Sequence, residues 1–249
     1  MKFDWGVFWG LLFSRTFFIP AWTTFWVTCA SMAIGISLGL LGALGMLARL
    51  RPLRWLVHAY LWIFRGTPVI VQIIFWYDAT AELTNNAINL PVLVAGVIAL
   101  GVNEGAYMTE IIRAGLLSVD RGQLEAARSL GMTYALAMRR IVIPQAIRII
   151  LPPTGNQMIG MLKTTSLLFT IAVPEIFATG TNLYSTNFRY FEVLAVVSIW
   201  YLLLTTLLTL VERKLEERFG YDRMNAGRAG DGVLTRLFRI GGSGAQGAR

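Results

Sequence analysis

The chain has 249 residues, of which 55% are hydrophobic and only 14% charged, far below the quarter of charged residues usual in soluble domains. Its net charge of +8 would suit nucleic acid, but the basic residues flank hydrophobic runs. That placement points to loops facing anionic membrane lipid and away from a nucleic-acid partner. Cys29 is the single cysteine and His58 the single histidine, which excludes an internal disulfide and, on ligand count, a His/Cys metal site.

Residues 1–16 form a first segment. Phe3, Trp5, Phe8, Trp9 and Leu12 fall near helical spacing and predict an amphipathic stretch lying in the interface, anchored by tryptophans. A frayed extension of the first span is the alternative. A cleavable signal is not expected, because the run before Arg15 is short, Asp4 interrupts it and no small-residue cleavage site follows.

Residues 17–215 read as a membrane domain. Positions 16–48 and 193–211 contain no charged residue, and uncharged runs longer than about 18 residues predict spanning helices. The first span is placed at about 21–47, with Ser31, Gly35 and Gly39 at four-residue intervals, where small side chains admit a close neighbouring helix. Arg49, Arg51 and Arg54 follow. An interfacial elbow is expected over about 53–64, with His58 on it and Arg65 at the boundary, placed to reach lipid phosphates. Thr67 as N-cap and Pro68 at the first helical position then open a second span at 67–83. The third span is predicted at 91–113, the fourth at 153–177 and the fifth at 191–211. The remaining residues, 216–249, are a cytoplasmic tail, partly disordered, ending in the Gly-rich "GGSGAQGAR".

The connections at 48–54 and 113–152 hold Arg49, Arg51, Arg54, Arg113, Arg121, Arg128, Arg139, Arg140 and Arg148, whereas the opposite loops hold only Arg189 and the N-terminal segment adds Lys2 and Arg15. The positive-inside rule therefore puts the N-terminus outside and the C-terminus in the cytoplasm. Residues 116–150 become a cytoplasmic loop. Within it, Asp120 with Gln123 resembles a capping box for a short helix to about Leu130, Gly131 suits a left-handed helix end, and Thr133 caps a second helix through Ile143, after which Pro144 breaks or bends the chain. By itself this is a solvated hairpin with some capacity to dock a partner.

The spacing Glu125-Ala126-Ala127, three residues, Gly131, nine residues, then Ile141-Val142-Ile143-Pro144 resembles the EAA loop of ABC-importer permeases, with Ile143 where that family usually has leucine. "FRGTPVIVQ" (64–72), "GAYMTEIIRAG" (105–115), "GQLEAARSLGMT" (122–133) and "KTTSLLFTIAVPE" (163–175) resemble the branch that takes up polar amino acids, of the histidine, glutamine and glutamate type. The resemblance implies an all-α integral membrane fold of the type I importer kind, with five spans and a cytoplasmic coupling helix in a bacterial inner membrane. It also implies three partners: a cytoplasmic ATPase subunit, an extracytoplasmic solute-binding protein and a second permease subunit, identical or not. Glu125, Ala126, Ala127, Arg128 and Gly131 would be the element that meets the ATPase. The chain itself contains no G-x-x-x-x-G-K-[ST] sequence, so the energy has to come from that partner, and no cofactor or catalytic residue is expected.

Charges in the bilayer mark candidate sites, since each costs about 2.5–3.5 kcal/mol on insertion scales. Lys163 lies ten residues after Pro153 and Glu104 eleven before Gly115, which at about 1.5 Å per residue puts both near the midplane. Two readings stay open: an ion pair between the third and fourth spans, or a site for a zwitterion with Lys163 toward a carboxylate and Glu104 toward an ammonium. In the second reading Asn103, Thr164, Thr165 and Ser166 add hydrogen bonds. Glu110 and Arg113 read as a structural pair three residues apart. Glu175 reads as a gate residue or simply wet, and Asp78 and Glu82 as outer-face residues. An ion-coupled secondary transporter is the competing function. Five spans without an evident repeat weigh against it, and the lack of a nucleophile–base pair weighs against a membrane enzyme.

Overall fold

The computed structural model describes residues 3–85 and 87–219, and every regular element in them is helical. The Gly-rich tail lies outside the described residues. Helix α1 (Trp5–Leu12) is separate from α2 (Arg15–Leu47). The Asp4 carboxylate accepts hydrogen bonds from the Gly6 and Val7 amides at 3.0 and 3.1 Å and so starts a helix of its own. Phe8 and Leu12 are buried against α11 (Tyr190–Phe219), while Trp5, Trp9 and Phe13 stay exposed.

The first membrane helix starts earlier than the predicted position 21, because Pro20 is accommodated inside α2. It sits in the second turn, where its missing N–H removes a single bond. After Leu47 the chain turns into the amphipathic elbow α3 (Arg51–Gly66), then bends by 107° into the segment Val69–Leu83. That segment comprises α4 (Val69–Ile74), a wide π-helical turn (Phe75–Ala79) and α5 (Thr80–Leu83). The Thr67 hydroxyl does not cap α4. It donates back to the Ile63 carbonyl at 2.8 Å, and Pro68 takes the capping position.

Helix α6 (Val92–Leu117) is the most enclosed of the long helices and lies along α2. A Cβ on Gly39 would run into the Met108 side chain and approach the Thr109 amide to 3.0 Å, and one on Gly42 would meet the Thr109 side chain. Here glycine is required by backbone proximity, which lets dispersion contacts replace the missing hydrophobic drive between membrane helices.

Helix α7 (Arg121–Ser129) begins at Asp120, whose carboxylate accepts from the Gly122 amide at 2.6 Å. It ends in a Schellman motif: the Met132 amide donates to the Ala127 carbonyl, the Gly131 amide to the Arg128 carbonyl, and Gly131 has φ +80°. From Tyr134 the chain then departs from expectation. Pro144 does not stop the helix. α8 (Tyr134–Ala137), a π-turn (Met138–Val142), α9 (Ile143–Thr164) and a 3₁₀ stretch (Thr165–Ile171) form one rod, through Pro144, Pro152 and Pro153. The widened turn just before Pro144 absorbs the ring and the missing donor.

The break comes instead at the far end. Ala172 adopts φ +60°, Pro174 follows, and α10 (Ile176–Asn187) leaves at 49° to the rod. Phe177 thus lies in α10, beyond the break. Helices α2, α6 and α11 are each long and apolar enough to cross a membrane, and the two bent pairs bring the number to five by length and composition.

Candidate functional site

The two charges expected near the midplane lie in different cavities. The first cavity, about 310 Å³, is bounded by Val69 of α4, by Asn103, Glu104 and Tyr107 of α6 and by Gln157 and Thr164 of α9. The second, about 530 Å³ and wide open, lies between the end of α9, α10 and α11 and contains Lys163, Ser166, Phe177 and Tyr201. Lys163 and Thr164 are chain neighbours, so on a helix they point about 100° apart. That rotation sends them to opposite sides. No ion pair joins Lys163 to Glu104 among the described residues, so the structural-pair reading is corrected, and so is the placing of both charges in a single pocket.

Glu104 is 5% exposed, and its Oε1 has no hydrogen-bond partner among the described residues. Gly35 of α2 makes room for it: a Cβ there would stand 2.7 Å from Glu104 Cγ. The predicted small-residue stripe therefore does two things. Gly39 admits a backbone, whereas Gly35 leaves a slot for a carboxylate-bearing side chain.

Asn103 has a different task from the one expected. Its amide donates to the Phe64 carbonyl at 2.8 Å and to Gln72 Oε1 at 3.0 Å. Gln72 in turn donates to the Phe64 and Thr67 carbonyls and to the Thr67 hydroxyl. The Tyr60 hydroxyl donates to the Val102 carbonyl at 2.6 Å. This network satisfies the carbonyls at the end of α3, which would otherwise be orphaned where the helix stops, and it fixes the elbow to the turn of α6 that carries Glu104. Arg65 pairs with Glu110 and lies 5.5 Å over the Tyr107 ring. The expected Glu110–Arg113 pair is not present, because Arg65 from the elbow takes the carboxylate.

The hydroxyls after Lys163 serve their own helix. Thr164 donates to the Gly160 carbonyl at 3.0 Å, Thr165 to Leu162 at 2.7 Å and Ser166 to Lys163 at 2.7 Å. They remain able to accept a bond. Thr165 is fully buried, which removes it from direct solute contact in this conformation. Glu175 is neither wet nor at a rim. It is fully buried, caps α10 through the Phe177 and Ala178 amides, and accepts from the Tyr201 hydroxyl at 2.8 Å.

Sequence reasoning passed over Gln72, Tyr107 and Gln157. Tyr107 lies three residues after Glu104, and Gln157 seven before Thr164, so the helical period that links i, i+3 and i+7 would have collected them on the same faces. Gln72 stands inside an apolar run, the ordinary mark of a buried polar group that needs partners.

On the cytoplasmic-loop candidates, Glu125, Ala126 and Arg128 are exposed along α7, Ala127 is buried toward the rod, and Gly131 makes the turn. Leu130 and Tyr134 stand exposed next to it, at 84% and 60%.

Residues 35–221 match the family model described as "binding-protein-dependent transport system inner membrane component". The chain belongs to that family. It is 37% identical over 230 residues, 87% of this chain and 72% of the relative, to the arginine transport system permease protein ArgU of Corynebacterium glutamicum. It is 33% identical over 218 residues, 88% of this chain and 98% of the relative, to the glutamine transport system permease protein GlnP of Escherichia coli. The crystal structure of an amino acid ABC transporter superposes with a TM-score of 0.76 at 36% identity, covering 88% of this chain and 100% of that one. A methionine ABC transporter at 18% identity shares the fold, with a TM-score of 0.68. The protein is thus an all-α, multi-pass inner-membrane permease of the type I importer kind. It is a component of a transporter and not an enzyme, and it works with an ATPase subunit, a binding protein and a second permease subunit. The ion-coupled secondary transporter is set aside by the same membership.

Proposed function

We propose that the importer carries a polar amino acid inward and that its ammonium group is held in the cavity around Glu104. The observation that carries this reading is the Glu104 carboxylate: buried, at a cavity wall, with one oxygen unpartnered. A buried acceptor left without a donor costs about 1–3 kcal/mol, and an ammonium brings three donors and the opposite charge. About 310 Å³ is at the lower end of ligand pockets and suits a small solute. Tyr107, Gln157 and the Thr164 oxygen offer neutral polar contacts around it, and the names of the similar permeases, for arginine and glutamine, agree with an amino acid. Asn103 positions the wall. Lys163 and Ser166, across α9, would meet the solute carboxylate at another stage of its passage.

Coupling is assigned to α7. Glu125, Ala126, Arg128 and the Gly131 turn present a narrow, charged ridge toward the ATPase, and Ala127 anchors it to the rod that continues into α9. Motion of α7 would then reach both cavities along one stiff element. This reading places the termini as the arginine distribution does, N-terminus outside and C-terminus in the cytoplasm.

The test is uptake by the complete transporter, with its ATPase and binding protein, in vesicles. Glu104→Gln keeps the size and removes the charge. The apparent affinity for solute should fall on the order of 10- to 100-fold, the loss of a charge-assisted bond, while ATP hydrolysis persists. Native affinity in that variant would remove Glu104 from the solute site.

A further inference from the structure

Helix α3 carries more basic side chains than its contacts account for. Arg51, Arg54 and His58 are exposed, and none of them has an ion pair among the described residues. Projected at about 100° per residue, Arg54, Arg65, His58 and Arg51 fall in a single arc of about 60°. Val57 and Leu61, at 8% and 6% exposure, lie to one side of that arc and pack on α6. Trp62 and Trp55, 79% and 78% exposed, lie to the other side, followed by Ile63 and Leu56. In cross-section the helix therefore runs protein face, cationic stripe, tryptophan border, aliphatic face. The 107° bend into Val69–Leu83 sets the helix nearly perpendicular to the segment that enters the bilayer.

We propose that α3 is a docking surface for the headgroups of anionic phospholipids, and that lipid bound there sets the wall of the Glu104 cavity. An interfacial helix with this arrangement seats aliphatic residues among acyl chains, tryptophans at the boundary and cations at the phosphates. Charge complementarity and the tryptophan border commit the stripe to lipid in preference to a protein. The route inward is short. The protein face of α3 holds α6 through Tyr60 to Val102, and the Phe64 carbonyl receives Asn103 and Gln72. Arg65 ends the same stripe and lies over Tyr107, which lines the cavity. Headgroups that pull on the stripe therefore act on the turn of α6 bearing Asn103, Glu104 and Tyr107.

The complete transporter is reconstituted in vesicles of phosphatidylcholine alone and in vesicles with phosphatidylglycerol as a minority lipid in both leaflets, so that the outcome is independent of orientation. Native uptake should rise several-fold with phosphatidylglycerol. In the double variant Arg51→Gln, Arg54→Gln that rise should shrink to near unity, with uptake in phosphatidylcholine unchanged. Equal responses of native and variant, or no native response, would overturn the proposal. Loss of ATPase subunit from the variant complex would also overturn it, assigning the stripe to the motor. Brominated phosphatidylglycerol supplies a readout on the native fold: its extra quenching over brominated phosphatidylcholine should vanish in Trp55→Phe, Trp62→Phe. If the Glu104→Gln affinity is native while this lipid response holds, the solute-site reading fails and the elbow reading stands.

Discussion

The two sides of α9 are built in opposite ways. Toward α6 and α2 the chain is close-packed around glycines, with a small cavity, a buried carboxylate and amides bonded on several atoms. Toward α10 and α11 the cavity is larger and open, its single cation has no partner among the described residues, and the neighbouring span is broken at Ala172. The difference separates rigidity from access. A solute group can be selected only where the walls do not yield. A helix that must move needs a side where little is packed, and α11 is accordingly the least enclosed of the long helices.

The sharpest way to break the packed half of this comparison is to load its helix seam and its cavity wall with the same methyl group. Gly39→Ala forces a Cβ onto Met108 and the Thr109 amide, where neither backbone can withdraw without separating α2 from α6. Overpacking of this kind costs about 1–3 kcal/mol, so the assembled transporter in detergent should unfold at clearly lower temperature. Gly160→Ala on α9, at the wall of the Glu104 cavity, meets nothing within 4 Å and gains about 0.8–1 kcal/mol of helix propensity, so thermal stability should hold or rise. Equal sensitivity at both positions would mean that the α2–α6 seam is packed no more tightly than the cavity wall.

A smaller effect sharpens the same contrast. Because Glu104 and Lys163 line separate cavities, Glu104→Gln and Lys163→Ala should act on uptake independently. Lys163→Ala should impair transport while ATP hydrolysis continues. In a double-mutant cycle the coupling between the two should stay within about 0.5 kcal/mol, as for sites without shared partners. Strong coupling would restore a single zwitterion site and contradict the geometry.

What could be foreseen follows the same line between local and non-local causes. The apolar runs gave away the helices, since length and hydropathy are properties of contiguous residues, and Gly131 gave away its turn. Position along a helix was legible too, because rise per residue is fixed. Azimuth was not, and one residue of offset between Lys163 and Thr164 sufficed to part the two charges. Glu110 chose Arg65, distant in sequence, over Arg113 three residues away, as tertiary contact overrides helical proximity. Glu175 looked exposed because its burial depends on the break at Ala172 and on Tyr201 of α11, neither of which a run of apolar residues reveals. Pro144 looked like a stop because the π-turn that absorbs it has no sequence signal of its own.

The weakest expected effect tests whether the open side is also held at the rim where α1 meets α11. Asp4 caps α1, accepts from Arg189 at 2.9 Å, and through its own amide donates to Glu192 Oε1 at 3.1 Å. The Arg189 guanidinium, followed by the Val7 amide, holds the Asp4 carboxyl below its ordinary value of 3.8. A depressed carboxylate contributes stability that is complete above the ordinary value and is lost as pH falls through the folded one. The clasp should therefore be indifferent to pH near neutrality and weaken only under acid conditions below about 3.8. Fluorescence of Trp5 and Trp9, compared between the native chain and Asp4→Asn in vesicles, reads the docking of α1 on α11. A native step in strong acid that is missing from the variant is the expected result. A step at neutral pH, or one that survives in Asp4→Asn, would mean that aromatic packing of Phe8 and Leu12 alone retains α1, and that the rim beside the open cavity has no electrostatic fastening.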